Sequence, residues 1–232
     1  MRILILILFL LTAIIFAVVS FSNPTPNQVQ AANEEDFEVN NSVMICCTWG
    51  EKLKDGKLTY NIEGEVSAEK KEAVRDAIRD WDDMVNFVEF IEIPEKDEAQ
   101  QKEKPDIQIK FLKDGSEFEE NGAETAGHTK TKLNKFGFIK FNLVTIAEGG
   151  LGKIFDKKTI ETIAKHEIGH TLGLGHANFK SNLMTTKIDF AAETISQCEL
   201  EAVQQANSWK FLAKNNNDDP RLSSTSKVNC ES

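Results

Sequence analysis

The decisive stretch of this 232-residue sequence is His166-Glu167-Ile168-Gly169-His170-Thr171-Leu172-Gly173-Leu174-Gly175-His176. It follows the pattern H-E-x-x-H-x-x-G-x-x-H and contains three of the four histidines in the chain. Residues four apart lie on the same face of a helix, so His166 and His170 can direct two imidazoles toward one metal ion. Gly173 can adopt the left-handed conformation that ends a helix, which would let the chain turn and bring His176 to the same point.

The pattern predicts a catalytic zinc site. Three neutral imidazoles on zinc leave one position open for water, whereas structural zinc sites are usually closed by four protein ligands. Glu167 directly follows the first ligand, so its carboxylate can reach a water at the metal without binding the metal itself. We therefore predict one zinc ion, with Glu167 as the general base and three ligands, His166, His170 and His176.

A methionine downstream extends the pattern. Met184 lies eight residues after His176, in Ser181-Asn182-Leu183-Met184. Together, the zinc motif and this methionine resemble the matrixin family of metzincin zinc peptidases, in which such a methionine forms the Met-turn. The resemblance implies a zincin-like α+β catalytic domain over residues 46–212. Such a domain has a twisted mixed β-sheet, an active-site helix, the Met-turn and a C-terminal helix.

The resemblance also implies how a substrate is held. Metzincins bind an extended peptide as an added strand along the sheet edge above the zinc helix. In this chain that edge would be residues 125–129, with four substrate-contacting residues, Ala126, Gly127, His128 and Thr129. The alternative for His128 is an ordinary strand histidine with no contact to substrate or metal.

The chain departs from the matrixin pattern in several places. Ala177 follows the third histidine, where matrixins usually have serine, and Thr185-Thr186 follows Met184, where Tyr-Pro is common. The histidines and acidic loop that bind structural zinc in animal matrixins are not evident. The sequence therefore predicts one catalytic zinc and leaves structural zinc or calcium open.

The charge balance limits the kinds of partner. Lys and Arg number 27 and Asp and Glu number 37, which gives a formal net charge of −10. Such acidity argues against nucleic acid as a partner and against electrostatic attachment to a membrane surface. An extended peptide or protein substrate is the expected partner, and a monomer is the expected state.

The first residues predict export. Residues 3–19 are almost entirely apolar and follow Arg2, which is typical of a signal peptide over residues 1–22. An uncleaved signal anchor is the alternative, because the run is close to the length of a short membrane span. Either way the rest of the chain would lie outside the cytoplasm, secreted or membrane-anchored. Residues 23–45 predict a linker or short pro-segment, and residues 213–232 predict a polar tail.

The four cysteines suggest disulfides, because their number is even and the chain is expected to be exported. Cys46 and Cys47 are adjacent, and a bond between them would close a strained ring. Each is therefore expected to pair with one of Cys198 and Cys230. An alternative is that Cys46 or Cys47 blocks the zinc as a thiolate, as a pro-segment cysteine does in many matrixins.

Residue periodicity predicts the elements around the motif. The predicted strands cover residues 58–62, 88–93, 107–111, 126–130 and 139–143. One helix should begin after Ser67 and bury a stripe of apolar residues, Val74, Ile78, Trp81 and Val85. The zinc helix should run over residues 158–172 after a cap at Asp156, and a last helix should follow Thr194 or Ser196. Residues 149–152 are glycine-rich and predict a flexible loop.

Three functions fit these features. The first is an exported zinc endopeptidase. The second is a catalytically silent peptidase fold that binds zinc and serves as a binding module, although degenerate sites tend to lack a ligand or the glutamate. The third is a zinc hydrolase that cleaves an amide in a non-protein molecule.

Overall fold

The structure is a computed structural model that describes residues 40–94, 104–115, 125–150, 152–188, 190–208 and 227–230. These residues belong to one compact unit that runs from Asn40 to Ser232. The expected signal segment, most of the expected linker and most of the expected tail lie outside the described residues. Among the helices that are described, none has the length and apolarity needed to cross a membrane.

The described residues form ten strands, three α-helices and one short 3-10 helix. The strands are β1 (Ser42–Ile45), β2 (Lys57–Glu63), β3 (Glu89–Glu92), β4 (Ile107–Leu112), β5 (Gly127–Leu133), β6 (Ile139–Ala147), β7 (Gly149–Gly150), β8 (Lys153–Ile154), β9 (Leu174–Ala177) and β10 (Lys227–Asn229). The helices are α1 (Ala68–Met84), α2 (Lys157–Thr171) and α3 (Gln197–Ala206), and the 3-10 helix is Gly50–Leu53.

The central element is a five-stranded mixed sheet in the order β3-β2-β4-β6-β5. Strands β3, β2, β4 and β6 run parallel, whereas β5 pairs antiparallel with β6 and occupies one edge. All five strands were predicted from the sequence, because apolar and polar residues alternate along most of them. The predicted α+β fold with a mixed sheet is confirmed.

Helices α1 and α2 pack against each other, and both begin at the predicted caps. The side chain of Ser67 accepts a hydrogen bond from the backbone of Lys70, and that of Asp156 accepts one from Thr159. These bonds satisfy amide groups that have no partner inside the first turn of a helix. The predicted apolar stripe of α1 is buried, with Val74 and Trp81 fully inaccessible to solvent.

Two tryptophans fix the position of α2. The indole nitrogen of Trp81 donates to the carbonyl of Lys165 at 2.8 Å, and that of Trp49 donates to the carbonyl of Thr171 at 2.8 Å. Both rings are buried, so each indole N–H needs such a partner. The two bonds hold the helix at Lys165, directly before the zinc motif, and at Thr171, the last residue of the helix.

A second, three-stranded sheet has the order β10-β1-β9, and both of its pairings are antiparallel. It extends the folded unit beyond the expected range of 46–212. Strand β1 lies in the expected linker, and β10 lies in the expected polar tail. Neither strand shows a clear signal in the sequence, because each is short and is stabilised by pairing with a distant segment rather than by its own pattern.

The glycine-rich segment was predicted as a flexible loop and instead contains the two-stranded hairpin β7–β8. Gly149 is required there, since a Cβ would overlap the carbonyl oxygen of Lys153 on the paired strand. The last predicted helix is confirmed as α3, with Ser196 rather than Thr194 as its N-cap.

The expected disulfide pairing is wrong. Cys46 is bonded to Cys47, and Cys198 is bonded to Cys230 across a Cα–Cα distance of 5.4 Å, so none of the four cysteines is free. The tertiary structure decides this pairing, because β10 ends beside α3 and brings Cys230 to Cys198. Since both Cys46 and Cys47 are oxidised, neither provides a thiolate to block a metal in this structure.

Candidate active site

Two of the predicted zinc ligands lie on the last turns of α2. His166 and His170 are one helical turn apart, and His176 lies on β9, after the chain reverses. The metal-binding atoms offered by the three imidazoles lie within 4.8 Å of one another. His166 is buried and His176 is exposed, so the cluster opens toward solvent on one side. Within the described residues, this cluster has three ligands and no fourth.

Backbone carbonyls determine which nitrogen of two imidazoles carries the proton. Nδ1 of His166 lies 2.6 Å from the carbonyl of Leu183, and Nδ1 of His170 lies 2.9 Å from that of Leu174. A carbonyl oxygen only accepts, so each Nδ1 is the donor and each Nε2 keeps its lone pair. The two Nε2 atoms lie 3.1 Å apart, and neither can donate to the other. This arrangement is favourable only when a cation shares both lone pairs.

The donor set fits zinc. Two nitrogens bound to one tetrahedral zinc at about 2.0–2.1 Å lie about 3.3 Å apart, which is close to the observed separation of the two Nε2 atoms. Zinc binds the neutral imidazole. Burial lowers the pKa of His166 to about 4 and the pKa of His170 to about 3, and it also lowers the pKa of His176. The imidazoles are therefore neutral at physiological pH.

Gly173 makes the turn that brings the third imidazole to the first two. Its φ is +100°, a conformation that side-chain-bearing residues rarely adopt. A Cβ at this position would also overlap the carbonyl oxygen of Cys47. The chain that follows β1 is held close at this point, because Cys46 N donates to Gly173 O at 2.9 Å. Glycine is therefore needed here for its conformation and for its size.

Glu167 lies beneath the edge strand β5. Oγ1 of Thr129 donates to Oε2 of Glu167 at 2.6 Å, and a Cβ on Gly127 would approach Oε1 to 2.7 Å. Burial raises the pKa of Glu167 to about 8, and the hydrogen bond from Thr129 acts in the opposite direction. A divalent cation on the neighbouring imidazoles would favour the carboxylate form, because opposite charges attract. The contact with Thr129 was not predicted from the sequence, which marked this threonine only for substrate.

The predicted substrate-contacting residues lie at the expected edge. Gly127, His128 and Thr129 begin β5, and Ala126 directly precedes it. Gly127 and Thr129 face α2, as their approach to Glu167 shows, so His128 faces the opposite side of the sheet. No strand of the described chain pairs with the outer edge of β5.

Met184 is buried against α2 at the place expected for the Met-turn. A Cβ on Gly169 would lie 2.6 Å from the sulfur of Met184, so glycine allows this close contact. Asn182 Oδ1 accepts from Met184 N at 2.9 Å, and Met184 O accepts from Ala177 N at 2.7 Å. The turn therefore contacts both the helix with two of the imidazoles and the strand with the third.

A buried carboxylate that the sequence reading missed supports this turn. Glu199 is fully buried on α3, and its Oε1 accepts from Leu183 N at 3.1 Å. Its Oε2 accepts from Ser196 N at 2.7 Å and contacts the hydroxyl of the same serine. Since the carbonyl of Leu183 faces His166, the backbone of Leu183 connects α3 to the imidazole cluster. The spacing Ser196-x-x-Glu199 is a capping-box signal that could have revealed this glutamate.

Substitution Glu199→Gln should destabilise the protein by about 1–3 kcal/mol, because an amide nitrogen would then face a buried N–H donor. The measurement is thermal unfolding of the variant beside Glu201→Gln. Glu201 is an exposed residue on the same helix, and its variant should stay within about 0.5 kcal/mol of the parent. Equal stability of the two variants would contradict the role given to Glu199.

Comparison with known proteins gives a family match and similar solved structures. The matrixin family model matches residues 48–207, a range that includes the zinc motif, the Met-turn and the edge strand. Similar solved structures include myroilysin, with 11% identity and a TM-score of 0.43, covering 66% of this chain and 80% of that chain. Archaemetzincin from Methanopyrus kandleri has 12% identity and a TM-score of 0.42, covering 66% of this chain and 96% of that chain. No curated protein sequence matches this one.

The family match extends over more than half of the chain, and its range contains both the imidazole cluster and Glu167. The match confirms the resemblance to matrixins that the zinc motif and Met184 indicated. This chain belongs to the matrixin family of metzincin-type zinc peptidases.

Proposed function

We propose that this protein is an exported endopeptidase that uses zinc and Glu167 to hydrolyse peptide bonds. The observation that carries the proposal is the pair of Nε2 lone pairs, 3.1 Å apart, that face each other beside a buried carboxylate. Lone pairs in this arrangement require a cation, and the adjacent carboxylate is suited to proton transfer. Membership of a zinc peptidase family supports the same reaction.

The roles of the residues follow from their contacts. Zinc held by His166, His170 and His176 would supply Lewis acidity toward the scissile carbonyl and toward water. Glu167 accepts a proton from the attacking water and transfers it to the leaving amine nitrogen. Thr129 donates to Oε2, so Oε1, which faces Gly127, is the oxygen that remains available for the proton.

Among the described residues no strand pairs with the outer edge of β5, so this edge is suited to an extended peptide. A peptide that pairs with it extends the sheet by one strand. It also passes Glu167, because Gly127 and Thr129 lie directly against that carboxylate. An internal segment of a protein can bind in this way without a free terminus, which favours endopeptidase activity.

Export is supported by the N-terminal apolar run and by the disulfides. Residues 3–19 follow the pattern of a signal segment. All four cysteines are paired, and structural disulfides persist mainly in oxidising compartments. We propose a secreted, monomeric enzyme, or a membrane-anchored one if the signal segment is retained.

The test is hydrolysis of labelled casein by the full-length oxidised protein, with and without a chelator, and with zinc content measured in parallel. We expect internal fragments of casein to appear, chelation to stop their formation, and added zinc to restore it. Mass spectrometry of the fragments would distinguish internal cleavage from trimming of the ends.

Two other outcomes would contradict the proposal. Full zinc occupancy without cleavage of casein or of any peptide in a broad library would favour a silent zinc-binding module. Cleavage of small non-peptide amides with no cleavage of peptides would favour a zinc hydrolase that acts on another class of molecule.

A further inference from the structure

The hairpin formed by β5 and β6 has an unusual charge for this acidic chain. Residues 125–147 contain four lysines, Lys130, Lys132, Lys135 and Lys140, and no aspartate or glutamate. The formal net charge of the whole chain is −10, so this segment differs in sign from the protein that carries it. All four lysines are exposed, and none forms an ion pair with another residue in the part of the chain that the structure describes.

Two of these lysines lie on the strand that forms the sheet edge. Val144 and Asn142 are buried in the core, and they stand opposite Thr129 and Thr131 on β5. Residues opposite each other share a face, so Thr129 and Thr131 face the core. Lys130 and Lys132 alternate with these threonines and therefore face the other side of the sheet.

Thr129 shows how far Lys130 and Lys132 lie from the catalytic glutamate along the strand. This threonine contacts Glu167, so the scissile bond of a peptide paired with β5 must lie beside it. Lys130 and Lys132 follow it by one and three residues, which at about 3.3 Å per residue places them about 3–10 Å farther along the edge. They would therefore stand opposite substrate residues close to the scissile bond.

We propose that Lys130 and Lys132 make this protein select substrates with acidic side chains in the part of the peptide that pairs with β5 beyond Thr129. This inference rests on the proposed peptidase function and adds the class of substrate. Directly opposed side chains of paired strands have Cβ atoms about 4.5–5.5 Å apart, and opposite charges there are favourable. Lys135 and Lys140 on the same hairpin add positive potential at this end of the edge.

The test uses quenched fluorescent peptides that share one scissile sequence and carry Glu, Gln or Lys at the outward-facing positions on each side of it. The wild-type protein should cleave the Glu peptides with a kcat/KM about threefold to tenfold above that for the Gln peptides. The preference should appear on one side of the scissile bond only. It should largely disappear at about 1 M salt, where the Debye length is about 3 Å.

Charge reversal gives the sharpest comparison. The double variant Lys130→Glu, Lys132→Glu should prefer Lys peptides over Glu peptides, and the readout is the ratio of the two kcat/KM values within each variant. A matched control is the double variant Lys54→Glu, Lys227→Glu, which changes two exposed lysines elsewhere in the fold by the same charge. The control should keep the wild-type preference for Glu.

Equal kcat/KM for Glu and Gln peptides in the wild type would overturn this inference and leave the peptidase function standing. A preference that survives reversal of Lys130 and Lys132, or that the control also loses, would overturn it as well. Failure to cleave casein and every peptide would overturn the proposed function together with this inference. Thermal unfolding and zinc content equal to those of the wild type show that the charge-reversed variant is folded.

Discussion

Replacing Glu167 by Gln should lower kcat by about 100-fold to 10,000-fold and leave zinc binding intact. Glutamine has the same shape, and its amide oxygen can still accept the hydrogen bond from Thr129, so the site should keep its structure. The amide cannot accept and release a proton as a carboxylate does, and the proposed proton transfer is therefore lost. The measurement is kcat on a peptide substrate, with zinc content determined for the same sample.

The matched control for this substitution is Glu161→Gln. Glu161 lies on the same helix and pairs with Lys165, away from the imidazole cluster. Its substitution should leave kcat within about twofold of the wild type, because glutamine keeps an oxygen that can accept from Lys165, and Lys165 keeps its ion pair with Asp80. A Glu167→Gln variant that retained a tenth of the wild-type kcat would contradict the role of general base.

Replacing Gly173 by Ala should destabilise the protein by about 2–5 kcal/mol. The left-handed backbone conformation costs a side-chain-bearing residue about 1–2 kcal/mol. Overlap of the new Cβ with the carbonyl oxygen of Cys47 adds about 1–3 kcal/mol, because the segment that follows β1 must move away from the turn. Thermal unfolding should therefore occur about 10 °C lower. Zinc affinity should also fall, since His176 lies on β9, which pairs with β1.

The variant Gly64→Ala separates the conformational cost from the cost of steric overlap. The φ of Gly64 is +98°, almost the same as the +100° of Gly173, but no atom lies within 4 Å of the position that a Cβ would take. Gly64→Ala should therefore show only the conformational cost of about 1–2 kcal/mol and should bind zinc normally. If Gly173→Ala were no less stable than Gly64→Ala, the close approach of the Cys47 carbonyl would not be what requires glycine at Gly173.

Much of the fold could be predicted because the information is local in the sequence. Alternation of apolar and polar residues predicted most strands of the central sheet, and the β-branched and aromatic content of residues 88–93 predicted β3. Ser67 and Asp156 marked the starts of α1 and α2. These features depend on neighbours within one or two turns, which a single sequence displays directly. The strands β1 and β10 were not predicted, because each is defined by pairing with residues far away in the chain.

The pairing of the cysteines also could not be predicted from the sequence. Four cysteines allow three connectivities, and local reasoning about Cys46 and Cys47 argued against the one that the structure shows and left the other two open. The observed connectivity follows from the positions of β10 and α3, which bring Cys198 and Cys230 together. Such positions result from packing across the whole unit and leave no pattern near the cysteines themselves.

The three imidazoles and the glutamate beside them could be identified from the chain alone, because the spacing of a helix and one glycine turn specify their common face. Their surroundings depend on how distant segments pack. The tertiary structure placed Thr129 of the edge strand on Glu167, and it placed Glu199 of the last helix on the turn that supports His166. These contacts join segments 38 and 16 residues apart in the chain. They exist because buried polar groups must find partners wherever the packed fold offers them.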